Sequence, residues 1–217
     1  MKKLLTIIIA IAIAAPFFTA CKKGENDPMS LKSRKARLVG EWELSSSTDT
    51  YTNNDGDITT TVFNGTTFTT TYSTAGVDPS VRTGSVKSTI EKDGTYIYEE
   101  TKIQTETDPD YVTTKVTKME GVWYWGSGNK ELETKNKEIL ITQITKNTYT
   151  STTTGDYPSS YTYTQTYEGS DCPISYMKLD KLSSKEMIYK SEGKNSYTDD
   201  NGTDISSGTS EGTMTKL

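Results

Sequence analysis

Leu38-Val39-Gly40-Glu41-Trp42-Glu43-Leu44 is where the chain changes character. Trp42 and Leu44 stand two positions apart, with Glu41 and Glu43 alternating between them. Successive side chains on an extended backbone point to opposite faces, so this stretch predicts a strand with an apolar inner face and an acidic outer one. Downstream, Thr, Tyr, Val and Ile dominate, polar and apolar residues alternate, and Gly, Asn and Asp recur at short intervals. β-Branched and aromatic residues suit a pleated, half-buried surface, and short strands at this spacing form a sandwich or barrel. No stretch after residue 38 carries the periodicity of a three-turn helix.

The turn residues give the connectivity. Asn64-Gly65 separates Thr59–Phe63 from Thr66–Tyr72, a strong hairpin signal because both turn residues tolerate positive φ. Lys92-Asp93-Gly94 separates Ser85–Glu91 from Thr95–Gln104, and Ser183-Ser184-Lys185 joins Tyr176–Leu182 to Glu186–Ser191. Hairpins in succession pair sequence neighbours in space. The fold class expected is therefore all-β, an antiparallel up-and-down meander barrel over residues 36–217, with roughly eight to ten strands. All-β domains of this length are ordinary.

Upstream the sequence reads differently. Lys2 and Lys3 precede Leu4–Ala15, a run that is apolar apart from Thr6. Such a run is short for a bilayer span, which needs about 20 residues, and fits the apolar core of a secretory signal. Positions 1–20 contain two lysines and no acid, so their removal takes the formal net charge from −5 to −7. An acidic chain argues against a nucleic-acid partner, which demands clustered Lys and Arg. Residues 22–30 (KKGENDPMS) have the composition of a flexible tether, and the basic cluster Lys32–Arg37 (KSRKAR) reads as its solvated end. Ser30–Arg37 is long enough for one helical turn, with Leu31 and Leu38 on a shared side.

Two family resemblances follow. Phe18-Thr19-Ala20-Cys21 resembles the lipobox of bacterial lipoproteins. It implies a signal peptide over 1–20, lipidation at Cys21, and a lipidated tether over 21–35. The partner it implies is a membrane, held through the acyl chains, and Lys22 after the cysteine implies the outer membrane. Gly40-Glu41-Trp42, with Gly121-Val122-Trp123-Tyr124-Trp125 and Lys185-Glu186-Met187, resembles the lipocalin-like domain of bacterial outer-membrane lipoproteins. That likeness implies a calyx for a small apolar molecule. In lipocalins the first Trp plugs the closed end beneath an Arg from the last strand. Here the last strand offers Lys216 and no Arg, so this lock is expected to be altered or absent.

Much chemistry is excluded by composition. The chain has no histidine, which removes imidazole acid–base work, serine triads and His-ligated zinc. It has two cysteines, and with Cys21 assigned by the resemblance to lipidation, Cys172 is left as a lone thiol at a strand start beside Pro173. No phosphate-binding glycine motif occurs. Neither enzyme activity, cofactor nor metal site is expected. The candidate ligand contacts are Trp42, Trp123 and Trp125, for each of which core packing is the favoured account, and Tyr161, Tyr163 and Tyr167. Alternation along YTYTQTY puts these tyrosines on one face, the way proteins stack on sugars. The other account is an edge hairpin whose tyrosines cover sheet surface, and the low apolar content of 32% favours it. Two functions stay open: a lipid-anchored barrel holding a small apolar or carbohydrate-like ligand, or a structural or adhesive surface module without a pocket.

Overall fold

The computed structural model describes residues 26–28, 32–74, 76–107, 110–127, 138–199 and 202–217; the leader, Cys21 and the first tether residues lie outside these. Helix α1 (Arg34–Leu38) precedes eleven strands. They are β1 (Gly40–Thr52), β2 (Ile58–Phe63), β3 (Thr67–Tyr72), β4 (Ser80–Ile90), β5 (Thr95–Thr107) and β6 (Asp110–Trp125). After them come β7 (Ile139–Gly155), β8 (Ser159–Thr166), β9 (Ile174–Leu182), β10 (Glu186–Asp199) and β11 (Gly202–Lys216).

The predicted antiparallel up-and-down barrel is the fold observed. At the end carrying α1, β1 pairs β4 through Gly40–Glu43 and β11 through the Trp42–Lys216 register, while β7 pairs β9 through Ile139–Gln143. These pairings close the circuit β1-β4-β5-β6-β7-β9-β10-β11. At the opposite end the wall is longer. The β2–β3 hairpin is inserted between β1 and β4, and β8 pairs Lys146–Thr153 of β7. The hairpin turns at Asn64-Gly65 as expected: Gly65 has φ +96°, and Asn64 Oδ1 accepts from the Thr67 amide at 2.9 Å.

Strands β8 and β9 both run antiparallel to β7 and continue one path, interrupted by a 3-10 turn at Gly169–Asp171 and by Cys172. Cys172 is buried and its thiol is free, two residues before β9 begins. Beyond Lys190, β10 pairs β11 and not β8 among the described residues, so the wall is unpaired between β8 and β10 at this end.

The core lies inside the closed end. Trp42, Leu44, Phe63, Phe68, Ile90 and Trp123 are buried there, fed by the inward half of each alternating strand. Phe63 and Phe68 face each other across the hairpin with ring centroids 4.3 Å apart.

The outer wall is charged. Cross-strand register places Glu43 beside Lys87, Lys87 beside Glu99, and Glu99 beside Lys118. Opposite charges directly across a sheet each contribute about 0.2–1 kcal/mol. Glu120 continues the row with Lys146 at 3.0 Å and Lys118 at 3.4 Å. The hydrogen bond from Lys146 is the chief reason the Glu120 carboxyl lies below its usual range.

Candidate functional site

Trp42 is fully buried, and its Nε1–H donates to Leu38 O at 2.7 Å. Lys216, at the end of β11, places its ammonium 5.2 Å from the Trp42 ring centroid and donates to Arg37 O at 2.9 Å and to Val39 O. Over the tryptophan, where the resemblance implies arginine and the sequence an altered or absent lock, stands a lysine. Burial, with Lys32 nearby, lowers the Lys216 pKa from its ordinary value.

Gly40 makes room for this lysine. Its φ is +140°, and a Cβ there would stand 2.4 Å from Lys216 Cε. Gly40→Ala is expected to destabilise the fold by about 1–3 kcal/mol, from backbone strain together with displacement of Lys216. Urea denaturation checks this, and Lys216→Ala in the same chain should recover only the steric part, leaving the cost of positive φ.

Beneath the floor sits a buried ion cluster. Asp27 Oδ2 accepts from Arg34 Nε and from Arg37 Nη2, each at 2.9 Å, and all three side chains are inaccessible to solvent. Asp27 Oδ1 takes the Leu182 amide at 2.8 Å, while Arg34 donates to Leu179 O at 3.2 Å and Arg37 to Leu182 O at 2.5 Å. The expectation of a solvated basic tether is corrected here. Arg34 and Arg37 stitch the N-terminal segment to β9, because their carboxylate partner lies seven and ten residues earlier in the same segment. Helix α1, capped by Ser33 Oγ on the Ala36 amide at 3.1 Å, sets the two arginines on one side.

The other candidate tryptophans belong to the same floor. Trp123 donates to Glu91 O at 2.8 Å, packs edge-on against Trp125 at 5.9 Å, and carries Lys35 over its ring at 5.4 Å. Arg34 lies 5.9 Å from the Trp125 centroid. The three tryptophans thus cap the closed end over a layer of cations, and none of them lines the cavity above.

That cavity measures about 290 Å3 and lies inside the barrel. This is just below the roughly 300–1,000 Å3 typical of small-ligand sites. Met119, Met177, Met187 and Met214, four of the six methionines of the chain, contribute to its wall. Methionine is polarisable and unbranched, and adapts to irregular apolar shapes. Tyr96, Tyr98 and Tyr189 line the same cavity, with Tyr98 directly across from Met119. Burial pushes the Tyr96 hydroxyl up to about 12, and burial followed by Glu100 raises Tyr98 well above its ordinary value. Burial and then Asp49 raise Tyr189. All three are therefore neutral hydroxyls at physiological pH. Gly212 stands opposite Tyr189 in the β10–β11 register, and a Cβ there would meet the Tyr189 hydroxyl at 2.7 Å.

Nearer the mouth the wall becomes polar. Asp49 accepts from Ser47 Oγ at 3.0 Å, and its cross-strand row continues through Ser210 and Ser191. Glu100 pairs with Lys102 at 2.9 Å and accepts from the Tyr98 hydroxyl at 3.4 Å. Arg82 donates to Gln104 at 3.1 Å, and Gln104 to Glu106 at 2.6 Å.

The tyrosine row is divided. Tyr161 and Tyr163 lie on β8, 57% and 56% exposed, whereas β8 ends before Tyr167, which packs partly against the core. Register places Tyr163 opposite Tyr149, Tyr149 opposite Thr117, and Thr117 opposite Glu100. Cross-strand partners share a face, so Tyr161 and Tyr163 stand on the inner side of the mouth at the unpaired edge, with the Tyr149 and Tyr161 rings 5.8 Å apart. They border the entrance without lining the cavity itself. Sequence reasoning missed the methionines and Asp49, and the only signal available was their parity on separate strands. Among the described residues no His/Cys/Asp/Glu group has metal-ligand geometry.

Comparison with known proteins adds little to this geometry. No family model matches the chain, and no curated protein matches it. Among solved structures, the crystal structure of Ail, the attachment invasion locus protein of Yersinia pestis, aligns with 83% of this chain and 100% of that one, at 8% identity and a TM-score of 0.30. A superposition so loose transfers neither a site nor a function.

Proposed function

We propose that the chain is a lipid-anchored cell-envelope protein whose barrel holds a small ligand in its interior. The observation that carries this reading is the cavity of about 290 Å3 inside the barrel, lined by methionine and tyrosine. Its lower wall suits an apolar body, and its upper wall of serine and tyrosine hydroxyls suits a polar or carbohydrate-like end. The charged outer wall supports attachment by acyl chains in place of a membrane-spanning barrel. The resemblance at Cys21 supplies those chains, and two or more give stable anchoring. Lys22 supports the outer membrane as the site of attachment. Both residues lie outside the described part of the molecule.

Mass spectrometry of protein purified from its native membranes tests the two halves together. A small molecule released on denaturation, with acyl chains on Cys21, is the expected result. An acyl-free Cys21 would overturn the anchor, and a barrel that neither carries nor takes up any small molecule would overturn the ligand. Cys21→Ser is expected to move the protein from the membrane pellet to the soluble fraction with unchanged circular dichroism. A second reading, a contact-surface module, is favoured by one observation: β8 leaves its outer edge unpaired and exposes Tyr161 and Tyr163.

A further inference from the structure

Resting on the reading of the cavity as a ligand site, we infer that the ligand is a small organic cation, its ammonium head at Asp49 and its apolar body on the methionines below. Asp49 and Glu100 are the charged groups of the cavity wall, and both are acids. Their roles differ. Glu100 is already paired with Lys102 at 2.9 Å, whereas Asp49 has no Lys or Arg within ion-pair distance among the described residues and receives one hydroxyl, from Ser47. The rest of its surroundings are hydroxyls that cannot neutralise it: Ser210 and Ser191 in its cross-strand row, and the tyrosines at positions 98 and 189, whose titration its charge opposes.

Aromatic faces complete the match. Tyr96, Tyr98 and Tyr189 surround the same space, and a cation is attracted to such faces more strongly as water is excluded; the Phe68 ring already carries Lys102 at 4.8 Å. An anionic head, by contrast, would meet Asp49 with no lysine or arginine in the lining to offset it. A fatty acid or other carboxylate is therefore disfavoured where an amine or quaternary ammonium of the same body is accepted. Thioether sulfur below adapts to either an alkyl or an aryl body, so the head carries the selectivity and the floor does not.

Phenethylamine, 2-phenylethanol and phenylacetate share one body and differ in head charge, which makes them suitable probes. Isothermal titration of the full-length protein in lipid nanodiscs is expected to give phenethylamine about tenfold tighter binding than 2-phenylethanol, with phenylacetate weakest. Asp49→Asn keeps the side-chain shape and should remove most of that advantage while leaving 2-phenylethanol unchanged. Lys102→Gln, which releases Glu100, should tighten phenethylamine severalfold, an effect no merely structural role produces. NMR of 13C-methyl methionine reports entry into the cavity independently of affinity. Methionine shifts with 2-phenylethanol or phenylacetate bound as tightly as phenethylamine would overturn the charge assignment and keep the cavity as a ligand site. No methionine shift with any of the three would overturn both.

Discussion

Asp27→Asn is expected to lower the unfolding free energy by about 3–5 kcal/mol, the cost of breaking a buried ion pair from one side. The effect is large because one carboxylate answers two guanidinium groups, both 2.9 Å from the same oxygen and all three side chains out of water. Asparagine keeps the shape but removes the carboxylate charge that faces two buried guanidinium groups, which also donate to the Leu179 and Leu182 carbonyls. Its amide must also meet the Leu182 N–H, which now donates to Asp27 at 2.8 Å. Urea denaturation followed by tryptophan fluorescence measures the loss. Near-UV circular dichroism should change with it, since Arg34 lies against Trp125. Replacing all three members, as Asp27→Leu with Arg34→Met and Arg37→Met, should recover much of the stability, because apolar residues carry no desolvation cost. A single mutant as stable as the parent would show that this segment is not docked in solution.

Trp42→Ala is expected to cost about 3–5 kcal/mol, the usual range for removing a fully buried aromatic side chain. Trp42 is 0% exposed and joins three parts of the closed end: Leu38 O accepts from its indole, Lys216 covers its ring, and the core packs around it. Its removal leaves a cavity, an unpaired carbonyl and an ammonium without its ring. Trp42→Phe keeps a ring for Lys216 and loses the hydrogen bond, so about 1–3 kcal/mol is expected. Thermal and urea unfolding of both variants decide this. A Trp42→Phe variant as stable as the parent would show that the indole N–H contributes nothing.

These two residues show how unevenly the sequence can be read. Trp42 announces its inward position, since its neighbours Glu41 and Glu43 have the opposite parity and strand geometry allows no other arrangement. Asn64-Gly65 announces its turn for a similar local reason. Arg34 and Arg37 announce nothing of the kind. Residue type says surface, and only the return of Asp27 beneath β9 makes burial affordable. The cavity was illegible for a different reason. Met119, Met177, Met187 and Met214 come from four strands, and parity says only that each faces inward. Whether they meet depends on the stagger between strands far apart in sequence, which local pattern does not encode. The tryptophans went to the floor and not to the cavity because their strands meet the barrel end at those positions.

By itself the sequence determined the strands, their inward faces, the hairpin turns and the absence of imidazole chemistry, because each follows from residues within a few positions of one another. Tertiary structure alone decided four things. It closed β1 on β4 and β11, set Lys216 over Trp42, buried the Asp27 cluster, and left Asp49 facing the cavity with no countercharge among the described residues. All four are relations between residues distant along the chain, set by sheet register and packing.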